Sequence, residues 1–143
     1  WQSAVADYNS ALRLNPRSPE LHNNLAAELA KDPALADEAA AHFAEALRLR
    51  PDYFEAHFGL ANVLARDPRR LAEAIVHHQA ALRLRPRSVD ALAQAAAAFI
   101  RLGRTPEAIE CLQHALEVEP GFEAARETLR RLTAGPSPAL PSR

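Results

Sequence analysis

Apolar residues fall into two alternating stripes along the chain. Ala4, Tyr8, Ala11 and Leu12 stand at offsets of four, seven and eight, and the same offsets return as Ala39, Phe43, Ala46 and Leu47, as Ala74, His78, Ala81 and Leu82, and as Ala108, Leu112, Ala115 and Leu116. Those offsets put the four side chains on one side of an α-helix. Between these sets runs the second stripe: Leu21, Leu25, Ala26 and Leu29, then Ala56, Leu60, Ala61 and Leu64, then Ala91, Ala95, Ala96 and Phe99. Each member of the first stripe ends in a similar pentapeptide, Leu12-Arg13-Leu14-Asn15-Pro16 being the first, and the prolines Pro16, Pro51, Pro86 and Pro120 step by 35, 35 and 34. A period of this length holding two helices is a repeat signal, which takes precedence over any local assignment.

Boundary residues agree with the division. Ser18 before Pro19, Asp52, Ser88, and Thr105 before Pro106 are expected N-caps, because a short oxygen-bearing side chain accepts a free N–H of the first turn and proline suits its first position. Lys31-Asp32-Pro33, Arg66-Asp67-Pro68 and Arg101-Leu102-Gly103 are expected to break the chain between paired helices. Helices are therefore predicted near 2–14, 19–31, 36–49, 53–66, 70–84, 89–102, 106–118 and 122–133. Alanines at the centres of the stripes (Ala26, Ala61, Ala96; Ala11, Ala46, Ala81, Ala115) let two helix axes approach closely. One pair cannot bury its own apolar face, whereas stacked pairs make a continuous core. With 32 alanines and 20 leucines, the composition favours helix throughout, and the expected class is an all-α solenoid.

A 34-residue helix-turn-helix unit with small residues at set positions, an aromatic in its second helix and a closing proline resembles the tetratricopeptide repeat. The resemblance covers about residues 1–133 and implies a right-handed superhelical array, similar to those of bacterial tetratricopeptide proteins and of O-linked N-acetylglucosamine transferases. Its units would be a partial first unit 1–18, full units 19–53, 54–88 and 89–122, and a capping helix 122–133 made polar by Arg126, Arg130 and Arg131. Departures are His22, His57 and Leu92 where a bulky aromatic often opens the first helix, the fading of the second-helix aromatic to His78 and Leu112, and one extra connector residue in two units. The alanine run 95–98 makes helix 89–102 look thinly packed. Residues 134–143, with a P-x-x-P spacing at Pro138 and Pro141, have the composition of a disordered proline-rich tail.

Charge, cysteine and histidine narrow the possible functions. Seventeen basic residues against eighteen acidic leave a net charge of -1, so no basic excess argues for nucleic acid or an anionic membrane as partner. No apolar run is long enough for a membrane span, the first residues do not read as a signal peptide, and a soluble, cytoplasmic protein is expected. The single Cys111 excludes an intrachain disulfide, and its slot beside the stripe suggests an oxidisable surface thiol rather than a nucleophile. His22 and His57, like His42 and His77, hold equivalent positions 35 apart. No two histidines share a helical face with ligand spacing, so they are expected as packing and surface positions, with no metal and no cofactor. Asp37-Glu38 and Glu107 with Glu110 lie at helix starts, where the helix dipole accounts for them. No reaction is proposed by any residue set.

Charge also repeats outside the core. Glu20, Glu55 and Asp90 recur near the starts of the first helices, and Lys31, Arg66 and Arg101 recur eleven residues later near their ends. Dipole complementarity explains both sets. The resemblance implies something further, since first helices in such arrays line a concave groove that holds a peptide or helix. Between the charged rims the groove floor would present Asn23, Ala27, Phe58, Asn62, Ala93 and Ala97, then Glu127 and Arg131, with the asparagines bonding a peptide backbone and Phe58 as apolar anchor or, alternatively, a packing residue. The lysine-rich clamp by which similar arrays hold a C-terminal carboxylate is missing, because Lys31 is the one lysine and its matching slots read Asn23, Ala27, Gly59, Asp90 and Gln94. The asparagine ladder of the glycosyltransferase arrays has one rung, at His22-Asn23-Asn24-Leu25-Ala26, and is not continued at Gly59, Gln94 or Thr128. A non-catalytic module that binds another protein or peptide segment is thus expected, without nucleic acid or membrane insertion. The alternative is a partner-selecting appendage of a larger enzyme, glycosyltransferase-like or a membrane transferase. Helix 2–14, lacking a preceding partner helix, offers a face for self-association.

Overall fold

A computed structural model describes residues 1–135, and among these the chain forms eight α-helices and two single 3-10 turns, with no strand. The helices are α1 (Gln2–Leu14), α2 (Pro19–Leu29), α3 (Ala36–Leu49), α4 (Phe54–Leu64), α5 (Leu71–Leu84), α6 (Val89–Arg101), α7 (Thr105–Val118) and α8 (Glu123–Thr133). α2 packs on α3, α4 on α5 and α6 on α7 as the closest pairs, while α3 with α4 and α5 with α6 join one pair to the next. This is a helix-turn-helix solenoid. The proline-rich tail expected at 134–143 lies, from residue 136 onward, outside the described residues.

Local chemistry sets the boundaries. Ser18 Oγ accepts the Leu21 N–H and Ser88 Oγ the Ala91 N–H, each at 3.2 Å, as expected of N-caps. Asp52 and Thr105 do not act that way: the residues preceding α4 and α7 are Tyr53 and Arg104, neither with a side-chain cap. Two capping aspartates lie instead in the connectors. Asp32 and Asp67 each accept the N–H two residues on at 2.9 Å and start the 3-10 turns Pro33–Leu35 and Pro68–Arg70.

The third connector is built differently, and this explains the change of period from 35 to 34 residues. Gly103 adopts φ +72, Arg104 N–H bonds Phe99 O at 2.9 Å and Gly103 N–H bonds Ile100 O at 3.0 Å. That pair of bonds is a Schellman closure, which needs a residue free of a Cβ in the left-handed region. It turns the chain in one residue fewer than the Asp-Pro turn.

The stripe alanines are where the axes meet. Ala26, Ala61, Ala46, Ala81 and Ala115 are fully buried and Ala96 is 1% exposed. Around them Leu25, Leu29, Leu64 and His78 are the largest side chains wholly out of solvent. At one crossing even alanine would be too large, because a Cβ built at Gly59 would lie 2.5 Å from Phe43 Cε1 and 3.0 Å from Cε2. Phe43 itself is 3% exposed. In α8 only Ala125 is fully buried, with Phe122, Leu129 and Leu132 partly so. No helix among the described residues is long and apolar enough to cross a membrane.

Candidate functional site

The first helices of the pairs, α2, α4 and α6, with α8 beyond them, carry two clefts. The first, of about 380 Å³, lies between α2 and α4 and brings together Asn23, Ala27, Glu55, Phe58, Asn62 and Arg66 of the expected groove residues. The second, of about 390 Å³, lies between α6 and α8 and takes in Ala93, Ala97 and Arg101, with Arg131 at its edge. Lys31 and Asp90 line neither. A third cleft, about 530 Å³, opens on the other side of α6 over Leu92 and Phe99. The small side chains of α6, Ala93, Ala96 and Ala97, leave space on the flank that faces α8.

The floor of the first cleft is apolar with two unsatisfied amides. Phe58 is half-buried and stacks on Phe54, ring centroids 5.8 Å apart and planes 8° from parallel. Asn23 is 8% exposed, yet its Oδ1 has no hydrogen-bond partner among the described residues, and neither does the buried Asn62 Oδ1. Asn23 Nδ2 reaches only Asn24 Oδ1, at 3.4 Å. A buried acceptor left unpaired costs about 1–3 kcal/mol, so two in one cleft are an arrangement that a donor from elsewhere would relieve.

The charged rims are largely engaged within the chain. Glu20 pairs with Arg50, and Glu55 with Arg85 at 2.8 Å, each tie joining the start of a first helix to the end of the second helix of the same pair. A bond to its own backbone N–H, then Arg50, holds the Glu20 carboxyl below the usual range. The register position of Arg50 and Arg85 is Glu119 in the following unit, so this ladder stops before Asp90. Arg66 Nη1 donates to Ala30 O at 2.8 Å, and Arg101 Nη1 donates to Ala65 O. Both acceptors are at the C-terminus of the preceding first helix. The bases therefore serve the dipole of the neighbouring helix rather than of their own. Lys31 pairs with Glu28 at 2.7 Å.

Other candidate groups are muted by burial. The Cys111 thiol is half-buried beside Phe99 and Leu112 rather than at the surface, and burial, with Glu110 and Glu107, pushes it up to about 11. Burial holds His78 down to about 4, neutral near pH 7. The contributions of Gly59, Ile100 and Phe122 to the clefts were not anticipated. The i, i+4 spacing of Phe54 and Phe58 is a signal in the sequence for the ring stack beside the first cleft.

Stacked helix pairs, with two clefts along the first helices and a third between α5, α6 and α7, define a helical-repeat scaffold. Tetratricopeptide repeat profiles match residues 34–89 and 65–132, together well over half the chain, which belongs to the tetratricopeptide repeat family. Solved structures agree. MamA (41-end) from Desulfovibrio magneticus RS-1 is 21% identical over 92% of this chain and 73% of its own, with a TM-score of 0.84. YrrB, described as a TPR protein with an unusual peptide-binding site, is 24% identical over 89% and 64%, with a TM-score of 0.77. The first TPR domain of human RPAP3 is 21% identical over 82% and 91%, with a TM-score of 0.72. At these identities the likeness is one of fold. No curated protein matches the chain in sequence.

Proposed function

We propose that the chain is a non-catalytic protein-interaction module that holds an extended segment of another protein along the first helices. The observation that carries this reading is the first cleft, where Asn23 Oδ1 and Asn62 Oδ1 are buried without partners beside Phe58. With a rotation of each side chain that brings its oxygen to the cleft surface, an extended peptide supplies backbone N–H donors for both amide oxygens at a spacing set by the chain rather than by its side chains, and an apolar side chain of that peptide covers Phe58. The second cleft, lined by Ala93, Ala97, Ile100 and Phe122 with Arg101 and Arg131 at its edge, takes a further apolar side chain. YrrB, of the same fold, is a peptide binder by its own description. The groups engaged are Asn23, Ala27, Phe58, Asn62, Ala93 and Ala97, with Glu55, Arg66 and Arg101 setting the width of the groove, within units 19–53, 54–88 and 89–122.

Selection of a displayed peptide library tests this. Wild-type protein is expected to enrich sequences with spaced apolar residues, and Phe58→Ala to weaken the selected peptides about 30-fold, which corresponds to about 2 kcal/mol for a buried aromatic hot spot. Asn62→Ala should weaken them irrespective of their side chains. Equal binding by wild type and by Phe58→Ala with an unchanged helical spectrum would move binding to another surface.

A further inference from the structure

Two histidine pairs, in successive helix pairs, are built alike. His22 of α2 faces His42 of α3 with ring centroids 5.3 Å apart and Nδ1 atoms 3.0 Å apart; His57 of α4 faces His77 of α5 with centroids 5.4 Å and Nδ1 atoms 3.1 Å apart. The second ring nitrogen of the first histidine is anchored in both. His22 Nε2 lies 2.9 Å from the Pro16 carbonyl oxygen and His57 Nε2 lies 2.8 Å from that of Pro51. A carbonyl oxygen only accepts, so Nε2 carries the hydrogen and Nδ1 presents a lone pair to the facing imidazole. The facing histidine answers by donating its own Nδ1–H.

We propose that each pair is a two-imidazole site for a borderline transition-metal ion (Zn²⁺, Ni²⁺ or Cu²⁺), bound through the two Nδ1 atoms with water completing its coordination. Two nitrogens bonded to one ion at about 2.0–2.1 Å, at angles between square and tetrahedral, are about 2.8–3.4 Å apart, a range that contains the separations already present. A ligating imidazole almost always donates its other N–H to a carbonyl or carboxylate, and the Pro16 and Pro51 carbonyls fill that role. The facing histidines move their hydrogen from Nδ1 to Nε2, which has no partner among the described residues. The neutral pair thus takes up the ion without net release of a proton. All four rings are half-buried, leaving room for water ligands. Burial is the largest effect at both facing histidines and lowers His42 and His77, with Glu38 and Glu45 near the first and Glu73 near the second opposing it.

The repeat contains its own controls. At the next unit the two positions are Leu92 and Cys111, so the pair is lost. One unit further Arg126 Nη2 donates to the Pro120 carbonyl at 2.5 Å. The carbonyl anchor therefore recurs as a structural bond, and the facing imidazole is what distinguishes the two pairs. No group of three or more His, Cys, Asp or Glu is placed to hold a metal among the described residues, so each ion has two protein ligands and is exchangeable. Nitrogen ligation favours Cu²⁺ over Ni²⁺ and Zn²⁺ and disfavours Mg²⁺ and Ca²⁺. Sequence spacing hid the pairs, since partners twenty residues apart share no helix face.

Calorimetric titration of chelator-treated protein with Zn²⁺ and with Cu²⁺ tests the proposal, with Mg²⁺ as control. Wild type is expected to bind two ions, His42→Ala or His77→Ala one, and the double variant none; these substitutions leave the His22 and His57 anchors in place. Electron paramagnetic resonance of the Cu²⁺ form should show two coordinated imidazoles at each site. Unchanged stoichiometry in the double variant would assign the metal to other surface groups, and no binding by wild type would make the pairs packing hydrogen bonds alone; either overturns the proposal. If the double variant loses its helical spectrum, His42→Gln with His77→Gln replaces it in the same titration.

Discussion

Gly59→Ala sets two physical effects against each other, and the close approach of α3 to α4 decides the sign. Glycine inside a helix is less favourable than alanine by about 1 kcal/mol, so propensity alone predicts that the substitution stabilises. Packing predicts the reverse. The new methyl would lie 2.5 Å from Phe43 Cε1 and 3.0 Å from Cε2, well inside van der Waals contact. The ring is 3% exposed, in the core cluster that runs from α1 to α5, and cannot swing into solvent. Overpacking of this kind costs about 1–3 kcal/mol, leaving a net loss of about 0–2 kcal/mol after the helix gain. Urea denaturation followed by circular dichroism reads the difference as a lowered midpoint, with the slope checked because stacked repeats need not unfold in one step. Phe43→Leu in the same chain should remove the conflict, since leucine fills the equivalent position as Leu112. The double variant should then lose less than the two single losses added. A Gly59→Ala variant about 1 kcal/mol more stable than wild type would refute the reasoning and show that the ring does not lean on this backbone.

Two further substitutions or modifications follow from buried groups. His78 is 1% exposed with its Nδ1 unpartnered, and its register neighbours are Phe43 and Leu112, so His78→Leu is expected to raise stability by about 1–2 kcal/mol, read as the urea midpoint; a loss of stability would mean that the ring has a hydrogen-bond partner. Cys111, raised from 9.0 to about 11, should alkylate with iodoacetamide at pH 8 about 100-fold more slowly in native protein than in urea, because only the thiolate reacts; equal rates would show that α7 opens readily.

Helix content and order were legible because they follow from local chemistry repeated four times. Serine before a helix, proline after it and a stripe of period 3.6 are all decided within a few residues. What was not legible depends on contacts across the period. Asp32 and Asp67 read as loop residues, but the Asp-Pro step makes a capped 3-10 turn, which is why two units have 35 residues. Asp52 and Thr105 have the right chemistry for caps but stand one residue from where the chain enters the helix. For the groove, the sequence indicated which residues occupy the first helices, and the structure gathers ten of the fourteen rim and floor residues into two clefts, leaving out Glu20, Lys31, Asp90 and Glu127. It could not indicate that His22 would meet His42, or His57 meet His77, because those meetings depend on rotation of one helix against another.

The same cross-period contacts change what the rims can do. An acid at one end and a base at the other of each first helix look like a ready-made electrostatic clamp for a charged ligand. In the folded chain Glu20 and Glu55 are matched by Arg50 and Arg85, and Arg66 and Arg101 are bonded to the carbonyls of Ala30 and Ala65. Exposed ion pairs of this kind add little to stability and weaken with salt, whereas the Arg66 and Arg101 bonds to the ends of the preceding first helices fix the spacing of successive first helices. A ligand that engaged those arginines would first have to displace bonds already made. On the proposed reading, affinity at the groove therefore falls to the uncharged floor, to two unpaired amide oxygens and Phe58. Such an interface depends on peptide backbone and apolar side chains, and its affinity should change little with salt concentration.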